Sequence, residues 1–320
     1  MNPEGQGLDE TRRPSSLAAS DWLRQLALAL ETGCLPTILG IGVIGNALSF
    51  TVMSLKKNRS SVMYFHLRVL AVSDTVSLAT FLPKLISPYI IQSTWIAPVP
   101  VIYCTVVRYF SDLFFGAAMW LVVIIAVDRV IAVSFPLRAI SWCTMGRAKR
   151  NVIVFGVLLL GFNTPNFWRR PKLFNDSIDC VLGPHLVWFD SVTYSVNAAI
   201  PVSLILILNI TIIISVRSHS RELKRTISNK QGTAQDGGMT AMLILVATTM
   251  VILNTPYFCL VIMWTYIIPD FMGRNPSLTY FLMNSMIMLW MVNNSINFFL
   301  YCLASKHFRK DLRQLFNKSR

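Results

Sequence analysis

The chain has 320 residues, 54% hydrophobic and only 14% charged, and its mean hydropathy is +0.54. Its apolar residues fall in long blocks and not in the amphipathic rhythm of a soluble domain, which is the composition of a membrane protein. The formal charge of +14 would fit a nucleic-acid binder only if the cations formed a patch on a soluble domain, and they do not.

Seven stretches are predicted to cross a bilayer, at 35–55, 62–91, 99–127, 152–167, 186–216, 239–268 and 276–303. Each is close to or above the roughly 17 to 25 residues a spanning helix needs, except the fourth, which is short. The segments between them alternate in charge. One side holds 20 Lys and Arg against four Asp and Glu, the other nine against ten, with Asp74 inside a span. The positive-inside rule makes the basic side cytoplasmic and puts the N-terminus outside, so a multi-pass protein of the plasma membrane is expected. The fold class expected is an all-α seven-transmembrane helix bundle with a short amphipathic helix after the seventh span.

Taken in order, residues 1–31 read as a short extracellular tail, rich in Gly, Pro, Ser and charge at its start. No apolar core follows a basic start within 1–20, so the first span is expected to act as its own insertion signal. Residues 32–304 form the bundle. Within it, Arg129 of Asp128-Arg129-Val130 closes the apolar run 110–127, which can cross about 30 Å of hydrocarbon, so its guanidinium reaches a membrane face. An arginine there points to function, against the blander reading of a side chain snorkelling to headgroups. The outer loop 168–184 carries the sequon Asn175-Asp176-Ser177, with Asn175 the expected glycosylation acceptor, whereas Asn58 and Asn317 stand in sequons facing the cytosol. Of six cysteines, Cys34, Cys259 and Cys302 lie in or beside spans and Cys143 is cytoplasmic. Cys104 and Cys180 share the oxidising compartment and are the expected disulfide. Residues 218–238 form the main inner loop. In the final segment 305–320, Phe308, Leu312, Leu315 and Phe316 fall on one face of a helix and Lys and Arg on the other, a pattern that lies flat on the inner leaflet.

These features together resemble the rhodopsin-like class of G-protein-coupled receptors over nearly the whole chain. Further matching residues are Gly45-Asn46, Leu70-Ala71-Val72-Ser73-Asp74, Trp95, Pro201, Pro256 and Asn297-Phe298-Phe299-Leu300-Tyr301. The run from Asn297 to Cys302 into Lys306-His307-Phe308-Arg309 is similar to invertebrate neuropeptide receptors, among them those for FMRFamide-like peptides, sex peptide and myosuppressin. The chain departs from the class pattern at Asn254, where a tryptophan is usual, at Asn209, where a tyrosine is, and at Phe298, where a proline is.

The resemblance implies a cell-surface receptor that binds an extracellular peptide and activates a heterotrimeric G protein. Asp128, Arg129, Asn297, Tyr301 and Asp236 would then form the coupling switch, with Asp128 or Asp236 holding Arg129 at rest. It also implies a sodium ion at Asp74 with Asn293 and Asn297, beside Asn46 and Asn294, although Ala118 replaces a helpful hydroxyl. The same residues would equally build a water-filled polar network. Candidate ligand contacts are Lys84, Arg108, Ser111, Asp112, Phe115, Asp190, Thr193, Asn197, Tyr257 and Phe258. Arg108 and Asp112, four apart, could instead simply neutralise each other, and Tyr257 and Phe258 could be core aromatics. Ser111 stands where amine receptors carry an aspartate, and Asp112 lies about 100° around the helix from it, which argues against an amine.

Other classes fit worse. A retinal-binding light receptor needs a Schiff-base lysine in the seventh span, and 276–303 has none. A transporter would show matched repeats or broken helices. The histidines His66, His185, His219 and His307 are too scattered in sequence for a metalloenzyme, so no enzyme activity and no cofactor beyond the sodium ion are expected. A receptor-like decoy or scaffold that does not signal is the alternative, kept open by Asn254, Asn209 and Phe298.

Overall fold

Several helices of this chain begin where their first turn can be satisfied. Ser61 accepts from Tyr64 N (3.5 Å), Thr144 from Arg147 N (3.4 Å) and Ser305 from Phe308 N (3.2 Å), each filling an orphan donor. Pro276 opens another helix, at a position where a missing N–H costs nothing. The computed structural model describes residues 14–82, 99–174, 177–226, 234–268 and 271–317. Its long helices are α1 (Pro14–Met53), α2 (Val62–Ala79), α3 (Arg108–Ser134), α4 (Met145–Phe162), α5 (Ile200–Thr226), α6 (Ala234–Ile262), α7 (Pro276–Ala304) and α8 (Lys306–Asn317). Among the described residues, seven helical segments are long and apolar enough to cross a membrane, from Trp22–Met53 to Pro276–Ala304.

The boundaries differ from expectation in four places. The tail expected over 1–31 is helical from Pro14 onward, continuous with the first span, because Leu and Ala alternate from Leu26 to Leu30 and favour helix throughout. The short fourth span lengthens to 24 residues, Met145–Trp168, because the Thr144 cap starts it among the basic residues that looked like loop. The expected inner loop 218–238 is largely helix: α5 continues to Thr226 and α6 starts at Ala234, running through Gly237-Gly238. The second span, expected to reach 91, is helical to Ala79, and 83–98 fall outside the described residues, Trp95 among them. The loop after α4 forms an antiparallel hairpin, β1 (Arg170–Phe174) with β2 (Ser177–Val181), pairing Arg170 with Val181 and Phe174 with Ser177.

α1 lies along α7 and α2, α3 packs between α2 and α5, and α6 runs along α7. Two glycines let α1 and α7 approach. A Cβ on Gly42 would strike the Ser295 hydroxyl and Leu78, and one on Gly45 would lie 3.1 Å from Phe298 Cβ. The core joins Met119, Ile205, Met242, Tyr301 and Phe308 in one cluster. Phe308, Leu312 and Leu315 of α8 pack against that core, but Phe316 is 59% exposed and is not part of the same buried face.

Among the described residues, three π-helical turns sit at one end, Tyr103–Val107 before α3, Ser195–Ala199 before α5 and Met263–Ile267 after α6. The one before α5 has a cause in sequence. Pro201 lacks an N–H and its ring would press on the carbonyl of Asn197, and a wider turn relieves both.

Candidate functional site

At mid-bundle, Asn297 Nδ2 donates to Asp74 Oδ2 (2.7 Å), Asn46 Nδ2 to the Asn294 carbonyl (3.0 Å) and Asn293 Nδ2 to Asn294 Oδ1 (3.4 Å). All five side chains are buried. The sequence grouping therefore becomes a contact network in which Asn297 touches the carboxylate directly while Asn293 donates to Asn294. Asn46 Oδ1, Ser49 Oγ and Ser77 Oγ are buried without a hydrogen-bond partner. Ser77 is one turn beyond Asp74, so it shares that face of α2.

At the end of the bundle that carries Asp128 and Arg129, the Arg129 charge acts on Asp128 and on the His66 and Cys143 side chains beside it. Asp128 Oδ2 lies 3.5 Å from His66 Nδ1 of α2, and Cys143 Sγ lies 3.8 Å from the Asp128 carbonyl and 4.0 Å from its Oδ1. Arg129 borders a small apolar cavity among α2, α3, α5 and α6, lined by Leu67, Ile125, Asn209, Leu243 and Val246. Asn209, the residue in the place of a tyrosine, thus stands beside Arg129. Tyr301 is buried edge-on against Phe308, centroids 5.6 Å apart. The Asp236 side chain lies outside the described residues. α8 is docked nearby through Asp311, fully buried, with Lys57 Nζ at 2.6 Å, Asn58 Nδ2 donating at 2.8 Å and His307 Nε2 at 3.6 Å.

At the opposite end, Cys104 and Cys180 are disulfide-bonded, Cα atoms 5.1 Å apart, tying the hairpin to the start of the third span. Beneath it, buried Arg169 donates from Nε to Asn166 Oδ1 (2.6 Å) and from Nη1 to the Cys180 carbonyl (3.0 Å), and its Nη2 pairs with Asp190. Asp190, one of the expected ligand contacts, is thus paired with this arginine. Arg108 Nε sits 3.3 Å from the Asp112 carboxylate, so the pair does neutralise itself as one of the two sequence readings had it. Asn197 Nδ2 donates to the Asp112 carbonyl (3.4 Å) and packs on Gly116, where a Cβ would approach its Oδ1 to 2.5 Å. Tyr257 and Tyr194 meet hydroxyl to hydroxyl at 3.3 Å, both within electrostatic reach of Arg108. Phe115 meets Trp290 edge-on at 5.4 Å, Ser111 is half-buried, and Thr193 is buried with its hydroxyl unpaired. Phe258 packs against the main core, which favours its reading as a core aromatic. Lys84 and Asn175 lie outside the described residues.

Sequence reasoning missed Arg169, Tyr194, His66 and Asp311. Nothing in Trp168-Arg169-Arg170 separates the buried arginine from its exposed neighbour. His66 between Phe65 and Leu67, and Asp311 as the lone acid of a basic helix, were signals a reader could have used. No group of three or more metal-ligating side chains occurs among the described residues.

Seven apolar helices, a disulfide joining the third to the loop before the fifth, and an Asp-Arg pair at the far end of the third define a seven-helix membrane receptor bundle. Residues 45–301 match the 7 transmembrane receptor (rhodopsin family), and the chain belongs to that family, whose members are receptors and not enzymes. It is 27% identical to the FMRFamide receptor of Drosophila melanogaster over 310 residues, 90% of this chain and 54% of that protein. It is 24% identical to the sex peptide receptor of Drosophila melanogaster, over 91% of this chain and 73% of that one. Neuropeptide receptor 15 of Caenorhabditis elegans is 30% identical over 143 residues, 44% of this chain and 41% of that one. The chain thus spans about half the length of the FMRFamide receptor.

Proposed function

We propose that the chain is a plasma-membrane receptor, N-terminus outside, that binds an extracellular neuropeptide at the disulfide end and activates a heterotrimeric G protein at the Arg129 end. The observation that carries this reading is the separation of two polar sites by one helix: Arg108 with Asp112 near its start and Asp128 with Arg129 near its finish. About 21 residues of helix span some 30 Å, so an event at one end must reach the other through helix movement. The peptide class is supported by the names of the relatives, FMRFamide receptor, sex peptide receptor and neuropeptide receptor 15. A cluster of Arg108, Asp112, Tyr194 and Tyr257 offers cation, anion and hydroxyls together, which suits amide and charged groups of a peptide.

The mid-bundle network is the place we propose for a sodium ion. Its donors are all hard oxygens, the Asp74 carboxylate with the unpartnered Asn46 Oδ1 and Ser77 Oγ, the ligand type such cations prefer. Bound there, sodium would supply countercharge for a carboxylate otherwise costly inside a membrane. Asn175 is the proposed glycan site.

A screen of amidated neuropeptides on cells expressing this chain, reading calcium and cAMP together, tests the reading. A saturable response absent from untransfected cells is expected. Silence across the panel, with the receptor shown at the surface and no G protein recruited, would overturn it.

A further inference from the structure

We infer that the edge-on contact between Trp290 and Phe115 joins the proposed ligand site to the Asp74 network, with Trp290 the positioning residue that carries a change at one to the other. This rests on the proposed receptor reading. The two polar groups stand on different halves of the bundle. Arg108, Asp112, Tyr194, Asn197 and Tyr257 belong to the third, fifth and sixth spans, whereas Asn46, Asp74, Asn293, Asn294 and Asn297 belong to α1, α2 and α7.

The apolar packing follows that division. The main cluster runs through α3, α5 and α6 and the Arg129 end of α1, α2 and α7, with Phe115 packed against it. A second cluster, Leu35, Leu39, Leu78 and Met291, lies wholly on α1, α2 and α7, with Trp290 and Phe81 packed against it. Trp290 meets Phe115 at 5.4 Å and Phe81 at 5.0 Å between centroids, edge-on to both. Among the described residues, Phe115 with Trp290 is the one ring contact between the two clusters. Phe115 is one turn from Asp112 on α3, and Leu78 is one turn from Asp74 on α2. Edge-on rings have a preferred geometry and close-packed interiors transmit strain, so a shift of Phe115 turns Trp290 against Leu78 and Met291. On α6, Asn254 spends its amide on the Met250 carbonyl of its own helix, 2.7 Å away, so that amide does not bridge the halves.

The test is a mutant cycle read as the melting temperature of solubilised receptor in choline chloride. Asp112→Asn and Asp74→Asn lie on opposite sides of the contact, and independent sites of that kind add. Here the double variant is expected to depart from the sum of the singles by about 2 °C or more. The departure should persist in Trp290→Phe, which keeps a ring, and vanish in Trp290→Leu. Plain loss of packing would lower all four melting temperatures of the cycle alike and leave the departure in place. Additivity in the parent, a departure that survives Trp290→Leu, or one already lost in Trp290→Phe would overturn the inference. Should Trp290→Leu fail to reach the membrane, Phe115→Leu removes the same contact from the other side; a departure that survives it refutes the proposal. Basal nucleotide exchange on a panel of purified G proteins is measured on the same variants. A change of about threefold or more in Trp290→Leu, with the departure lost, supports the contact and the receptor reading together. The expected melting pattern with no exchange on any G protein upholds the contact and counts against the receptor reading, so the two failures are told apart.

Discussion

Asn297 of α7 donates its amide to Asp74 of α2 across 2.7 Å, in a site where both side chains are buried. One carboxylate oxygen is thus committed to a neutral donor, and the charge itself has no cationic side chain among its hydrogen-bond partners. Sodium should therefore stabilise the folded receptor. Raising free sodium to about ten times its dissociation constant would add about 1.4 kcal/mol. Thermal melting of solubilised receptor in sodium chloride against choline chloride should show a shift of a few degrees, and Asp74→Asn should abolish the difference.

Arg129→Ala should leave peptide binding within about threefold of the parent and reduce G-protein nucleotide exchange at least tenfold, at equal surface expression. Arg129 lies some 30 Å along the helix from Arg108, too far to touch a ligand there. Normal exchange by the variant would remove Arg129 from the coupling machinery.

Arg169→Met should destabilise the disulfide end strongly, because it strips donors from Asn166, the Cys180 carbonyl and Asp190 at once. Breaking a buried ion pair from one side costs about 3–5 kcal/mol, discounted here because Asp190 is 38% exposed. Arg169→Lys should not rescue, since a single ammonium cannot reproduce a planar fork. The melting temperatures of both variants decide it; a lysine variant that melts like the parent contradicts the fork geometry.

Gly40 and Gly42 are two residues apart in α1 and should respond oppositely to alanine. A Cβ at Gly40 meets nothing within 4 Å, whereas one at Gly42 meets the Ser295 hydroxyl and Leu78. Gly40→Ala should be neutral or stabilise by about 0.5–1 kcal/mol, and Gly42→Ala should cost about 1–3 kcal/mol through overpacking. Equal melting temperatures would deny the close α1–α7 contact.

Asp311→Ala should loosen α8 from the loop that precedes α2, leaving Asn58 without its 2.8 Å acceptor and Lys57 without its 2.6 Å partner. An unsatisfied buried group costs about 1–3 kcal/mol, visible as a lower melting temperature and as faster hydrogen exchange confined to Lys306–Asn317. Unaltered exchange there would show that Phe308 alone seats the helix.

The spans and the Cys104–Cys180 pair were legible because hydropathy and compartment are properties of short stretches. The Asp74–Asn297 contact was legible only through resemblance. What escaped was polar burial decided by partners remote in sequence: Asn58 and Asp311 are 253 positions apart, and no local pattern links them. Arg169 escaped for the same reason, being an arginine among arginines until the hairpin folds over it. The helical extension of the tail escaped because its charges read as solvent, although Leu26 to Leu30 is as good a helix as the span it continues.

That extension changes how the receptor can be gripped. Forty residues of α-helix, Pro36 among them, measure about 60 Å, twice the hydrocarbon thickness of about 30 Å. Glu31 receives the Tyr280 hydroxyl at 3.2 Å, so the rod is latched to α7 where it leaves the bundle. A helix latched near its middle is a lever, with Pro36, which removes a backbone hydrogen bond, as its one built-in bend point. Whatever takes hold of its free arm, whether a neighbouring membrane protein, an antibody or a rigid fusion, will turn the seam between α1 and α7 with it, and that seam carries Asn46, Asn294 and Ser295.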